Sequence, residues 1–173
     1  MPTKNFFNKA EMLHLGRALM AILALIIAAG HLSFTTPSGF ASAPSPTHPY
    51  NSTHQAAQAP SPMAFSEITF WFGVEVIAYT LIAVVFLLGL RTWYPLSILF
   101  NIFNLGIFYV SRLVAIPGIT SMAFGGHITA PIGLNTLNII AVAWILALIV
   151  GLILYKYDPG SELDKLLVTR KSR

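Results

Sequence analysis

Four stretches of this chain stay apolar for longer than a water-soluble fold requires. They run from Leu13 to Phe34, Glu67 to Leu90, Pro95 to Ile116 and Leu134 to Tyr155. Roughly 20 apolar residues in a helix suffice to cross a hydrocarbon core. Lipid offers the backbone no hydrogen bonds, so each amide must find its partner within its own segment, which selects helix. The sequence therefore predicts an all-α fold: a polytopic membrane protein with a four-transmembrane-helix bundle. Composition points the same way, since 55% of the 173 residues are hydrophobic and only 9% are charged.

The cations supply an orientation, because Lys and Arg flanking a span are retained on the cytoplasmic side. Lys4, Lys9 and Arg17 precede or open the first span, Arg91 lies between the second and third, and Lys156, Lys165, Arg170, Lys171 and Arg173 follow the fourth. Residues 35–66 and 117–133 contain no Lys or Arg. The predicted order is a cytoplasmic N-terminal segment (1–12), a span (13–34), an external Pro/Ser/Thr-rich loop (35–66), a span (67–90), a cytoplasmic turn (91–94), a span (95–116), an external loop (117–133), a span (134–155) and a basic cytoplasmic tail (156–173). Both N and C termini are then cytoplasmic and the location is the cell membrane. A competing reading takes the first span with Ala41-Ser42-Ala43 as a cleaved secretory signal. The apolar run is long for a signal, and Ala43 lies far beyond its end.

The formal charge of +4 does not point to nucleic acid, because the cations sit at span ends rather than along one stripe. The partners expected are the lipid bilayer and other membrane-protein subunits. Without cysteine there is no disulfide, thiolate ligand or cysteine nucleophile. The external loop before Pro62 carries no charged side chain and too little apolar surface to fold alone. In the tail, Ser161 is a candidate helix cap and Leu163, Leu166 and Leu167 recur at helical spacing. The expectation is a solvated anchor, with an interfacial amphipathic piece as the alternative.

Ionisable residues inside a bilayer are costly, and they point to function or to internal pairing. The candidates here are Glu75 in the second span, Arg112 in the third and His31 in the first. Counting from a turn centred on Thr92 and Trp93 places Glu75 opposite Val110, within about one helical turn of Arg112. Asn101 and Asn104 share a face of the third helix with Phe108, and Asn138 occupies the matching level of the fourth. The predicted intramembrane polar cluster is thus His31, Glu75, Arg112, Asn101, Asn104 and Asn138. It either fixes helix register through a Glu75 and Arg112 pair or holds a ligand such as a quinone headgroup or a haem edge.

No catalytic residue is predicted, because no nucleophile elbow, phosphate loop or His-Glu-x-x-His motif occurs. No metal site is predicted either. His48, His54 and His127 are the candidates that come nearest, but they lie in loops without compact ligand spacing. The sequence identifies no cofactor, and two axial histidines for haem are not visible across the bundle.

The stretch Ser111-Arg112-Leu113-Val114-Ala115-Ile116-Pro117-Gly118, followed by Pro131-Ile132-Gly133-Leu134, resembles a pattern in prokaryotic four-helix integral membrane proteins. Those proteins often carry an acidic residue after the second proline, where Ile132 stands here. The resemblance implies a four-helix architecture and a prokaryotic host, and brings no activity with it.

Three functional readings follow. The first is a non-catalytic subunit or accessory protein of a larger membrane complex, of respiratory or other redox type. The second is a small quinone- or haem-binding membrane protein using the Glu75, Arg112 and His31 layer. The third is a small homo-oligomeric transporter or channel, which four short helices leave little room for.

Overall fold

A computed structural model describes residues 8–33, 35, 62–113 and 136–171. Its elements are α1 (Lys9–Ser33), α2 (Pro62–Leu87), a 3-10 turn (Arg91–Trp93), α3 (Tyr94–Leu113), α4 (Thr136–Tyr157) and α5 (Glu162–Lys171), with no strand among the described residues. The four longer helices are long and apolar enough to cross a membrane, the arrangement of a multi-pass membrane protein.

Local chemistry sets the ends of these helices. α1 opens on a reciprocal capping box, in which the Glu11 amide donates to Asn8 Oδ1 at 2.9 Å and the Asn8 amide donates to Glu11 Oε2 at 3.0 Å. α2 stops where Gly89 turns left-handed, at φ +64°. The Leu90 amide then reaches back to the Val85 carbonyl at 2.9 Å, closing a Schellman motif that only glycine completes without strain. α5 begins at Ser161, whose Oγ accepts from the Asp164 amide at 3.2 Å, the cap its sequence position predicts.

α1 packs closely on α2 and α4, and α4 on α3. Small residues permit this approach: Gly30 of α1 lies under Ile140, Gly16 under Leu154, and Gly151 of α4 against Ile98 of α3. Between them lies a core of Met20, Ala24, Ile27, Ala83, Phe86, Ala143 and Ala147, while Leu25, Leu81, Leu99 and Leu152 face outward. α2 and α3 are adjacent in sequence, yet their backbones hardly approach one another. Long side chains span the gap instead, with the Phe86 ring stacked on Tyr94 at 4.1 Å between centroids.

The reversal between α2 and α3 pivots at Gly89 and Leu90 rather than at Thr92 and Trp93. Arg91–Trp93 already form the first turn leading into α3. Moving the pivot back by three residues shifts the register between the two helices by six, from Val110 to Asn104 opposite Glu75. Glu75 consequently lies level with Asn104, to which it is hydrogen-bonded, and not with Val110.

Candidate functional site

The mid-bundle polar layer is organised by Tyr79, buried on α2. Its hydroxyl donates to Asn101 Oδ1 at 3.3 Å and accepts from Asn104 Nδ2 at 3.1 Å. The same Asn104 amide donates to Glu75 Oε2 at 2.9 Å, and Asn101 Nδ2 donates to the Ser97 carbonyl at 2.9 Å. Ser97, Asn101 and Asn104 follow steps of four and three, so one stripe of α3 faces inward. Asn101 is fully buried, whereas Glu75 is only half-buried at the loosely packed α2 and α3 seam.

His31 joins this layer through its ring rather than through a hydrogen bond to it. The imidazole lies parallel to the Tyr79 ring at 6.1 Å and is tilted against Phe72 and Trp144, both at 5.6 Å. Its Nδ1 is 2.9 Å from the Ile27 carbonyl and, facing an acceptor, carries the proton. The Trp144 Nε1 is buried without a hydrogen-bond partner among the described residues.

The structure thus brings Glu75, Asn101, Asn104 and His31 together around Tyr79, which lies one helical turn after Glu75 on the same face of α2. Asn138 is half-buried in the first turn of α4, two residues before the Ile140 that covers Gly30. The Arg112 side chain lies outside the described residues. Its backbone position is eight residues past Asn104, about 12 Å further along α3 and two turns beyond the level of Glu75. His48, His54 and His127 also lie outside the described residues, as does the Pro117 to Leu134 part of the sequence pattern noted above. Among the described residues, no three His, Asp or Glu side chains converge.

A second cluster, not expected from sequence, closes the opposite part of the bundle, which we call the basic end. Arg17 of α1 forms a two-pronged pair with Asp158, with Nε to Oδ2 and Nη2 to Oδ1 both at 2.6 Å. Tyr94 of α3 donates its hydroxyl to Asp158 Oδ2 at 2.8 Å, and the Gly160 amide donates to Oδ1 at 2.9 Å. Burial alone pushes the Asp158 carboxyl up. The bonds from Arg17, the Gly160 amide and Tyr94 outweigh it, and the group is held below the usual carboxylate range. Around this knot the Ser161 amide bonds the Gly89 carbonyl at 2.9 Å, Thr92 N bonds Asp164 Oδ1 at 3.1 Å, and Arg91 Nη2 reaches the Tyr155 carbonyl at 3.2 Å. The available signal was an arginine within an apolar run and an aspartate directly before Pro-Gly.

Comparison with protein-family models, with curated proteins and with solved structures returns no match for this chain.

Proposed function

We propose that the chain is a non-catalytic subunit or accessory protein of a larger complex in the cell membrane, with the basic end and both chain ends on the cytoplasmic side. One contrast carries this reading. Gly16, Gly30 and Gly151 are spent on contacts within the bundle, but a Cβ at Gly73 of α2 or Gly106 of α3 would meet nothing within 4 Å among the described residues. By the Glu75 and Asn104 register these two glycines lie level with each other, on two helices whose backbones hardly approach one another. Open glycines in a span are positions that a neighbouring helix can approach closely. The internal polar groups meanwhile bond one another, the pattern of side chains that hold register. The orientation is supported by Arg91, Lys156 and Lys165 at the basic end. Purification from native membranes in mild detergent, with identification of co-migrating proteins, tests the proposal. A solitary, monodisperse chain would defeat it.

A second reading, quinone binding at the α2 and α3 seam, is favoured by one observation. Glu75 is half-buried within a span and receives a single hydrogen bond among the described residues, from Asn104. A redox assembly is the class of complex that suits such a seam. Binding of a short-chain quinone that is unchanged by Glu75→Gln would eliminate it. His31 supports this reading less, because Phe72, Tyr79 and Trp144 enclose its ring as they would a core imidazole.

A further inference from the structure

Helix α5 buries Asp164 and leaves Leu163, Leu166, Leu167 and Val168 exposed. At about 100° per residue, Asp164 points to the bundle, where it is buried and accepts from the Thr92 amide. Leu163 and Leu167 lie to one side, and Leu166 lies at its edge, about 60° from Leu163 and about 40° from Glu162; these three are 44%, 49% and 68% exposed, in the order Leu163, Leu167, Leu166. Glu162, Lys165 and Thr169 lie to the other side, where Lys165 Nζ meets Glu162 Oε1 at 2.6 Å.

The position of the helix gives the leucine face its solvent. α5 starts five residues after Tyr157, the last residue of α4, and the Ser161 amide ties it to Gly89 at the end of α2. It is therefore held where the spans leave hydrocarbon. Trp93, Tyr155 and Tyr157 are exposed around that level, as interfacial aromatics are.

Charge adds a second constraint. From Lys156 onward the chain has five cations and three carboxylates. Asp158 is turned inward to Arg17, Asp164 is turned inward to Thr92, and Glu162 is paired with Lys165. The carboxylates are thus withdrawn or neutralised, leaving a cationic excess in this segment.

We propose that α5 is an interfacial helix that seats Leu163, Leu166 and Leu167 in the leaflet at the basic end and binds the headgroups of anionic phospholipids. The proposal rests on the membrane reading of α1 to α4, but not on which side of the membrane the basic end lies.

Because the chain has no cysteine, single thiols report cleanly. Leu166→Cys, Leu163→Cys and Glu162→Cys variants of the full chain would each carry a spin label in vesicles of phosphatidylcholine, with or without phosphatidylglycerol. Accessibility would be read with oxygen and a water-soluble nickel chelate. Labels at 166 and 163 are expected to be oxygen-accessible and nickel-shielded, the label at 162 the reverse, and the shielding to deepen with phosphatidylglycerol. Equal nickel access at 166, 163 and 162 would overturn the proposal in favour of a solvated tail. Spin coupling between 166 labels of two chains would overturn it in favour of a second copy. Shielding indifferent to phosphatidylglycerol would overturn the headgroup claim. Alkaline carbonate extraction of the reconstituted protein would instead bring down the membrane reading itself, so the two failures are distinct.

Discussion

Arg17 and Asp158 are 141 residues apart in sequence and meet through two parallel hydrogen bonds of 2.6 Å. The planar guanidinium matches a carboxylate in this way, and lysine could not reproduce it. The Asp158 side chain is fully enclosed and Arg17 retains 11% exposure. Removing either partner strands a buried charge, which costs about 3 kcal/mol where pairs of this kind are broken. We expect Arg17→Ala and Asp158→Asn each to lower the thermal midpoint in detergent, and the double replacement Arg17→Met with Asp158→Leu to recover part of the loss.

The same pair sets a pH dependence. The folded Asp158 carboxyl titrates below its unfolded value, so its stabilisation is fully present above the unfolded pKa. It is lost as pH falls through the folded pKa. Thermal melts taken from neutral pH into the acid range should show a falling midpoint, and Asp158→Asn should flatten that part of the curve.

Gly89 cannot be replaced without strain. Its φ of +64° disfavours any Cβ, and the atom would fall on the Arg17 guanidinium. Gly89→Ala should destabilise by about 1–2 kcal/mol, combining the backbone cost with disturbance of the ion pair. Gly73→Ala provides the contrast. Alanine there meets no other group among the described residues and favours the helix by up to about 1 kcal/mol. We expect its melting midpoint to hold or rise while co-purification of partners from native membranes declines.

Gly30→Ala tests the α1 and α4 contact. The added methyl would overlap Ile140 Cγ1, next to Cβ and with little room to move, and the terminal Cδ1. Overpacking of this kind costs about 1–3 kcal/mol. Pairing it with Ile140→Val, which removes a methyl, should return part of the lost midpoint.

Tyr79→Phe removes the hydroxyl that joins Asn101 to Asn104. Hydrogen bonds between membrane helices contribute about 0.6 kcal/mol on average. A small drop in midpoint is expected, together with release of Asn104 seen as faster amide side-chain exchange by NMR.

The spans were legible because lipid imposes a length and a periodicity on any helix that crosses it, and Leu, Ile and Ala runs satisfy both. Much of the mid-bundle layer was legible too, since Asn101 and Asn104 stand out on an apolar helix. Register was not. It depends on where the chain turns, and Arg91–Trp93 read as a loop although they lead helically into α3. Arg17 was obscured because a cation near the start of a span is also a topology signal. Asp158 was obscured because an acidic residue after a span reads as solvated tail. Only the fold places the two at one point.

The loose packing of α2 on α3 has a consequence for biogenesis. A hairpin whose backbones stand apart and meet through long side chains gains less from closing on itself than a closely packed one, so α2 leans on α1 and α3 on α4. The clasp at Arg17 cannot form until Asp158 has left the ribosome, after all four spans have been made. Closure of the bundle in the bilayer therefore waits for α4 and the segment after it, and nascent chains truncated before Tyr157 should remain accessible to quality-control proteases.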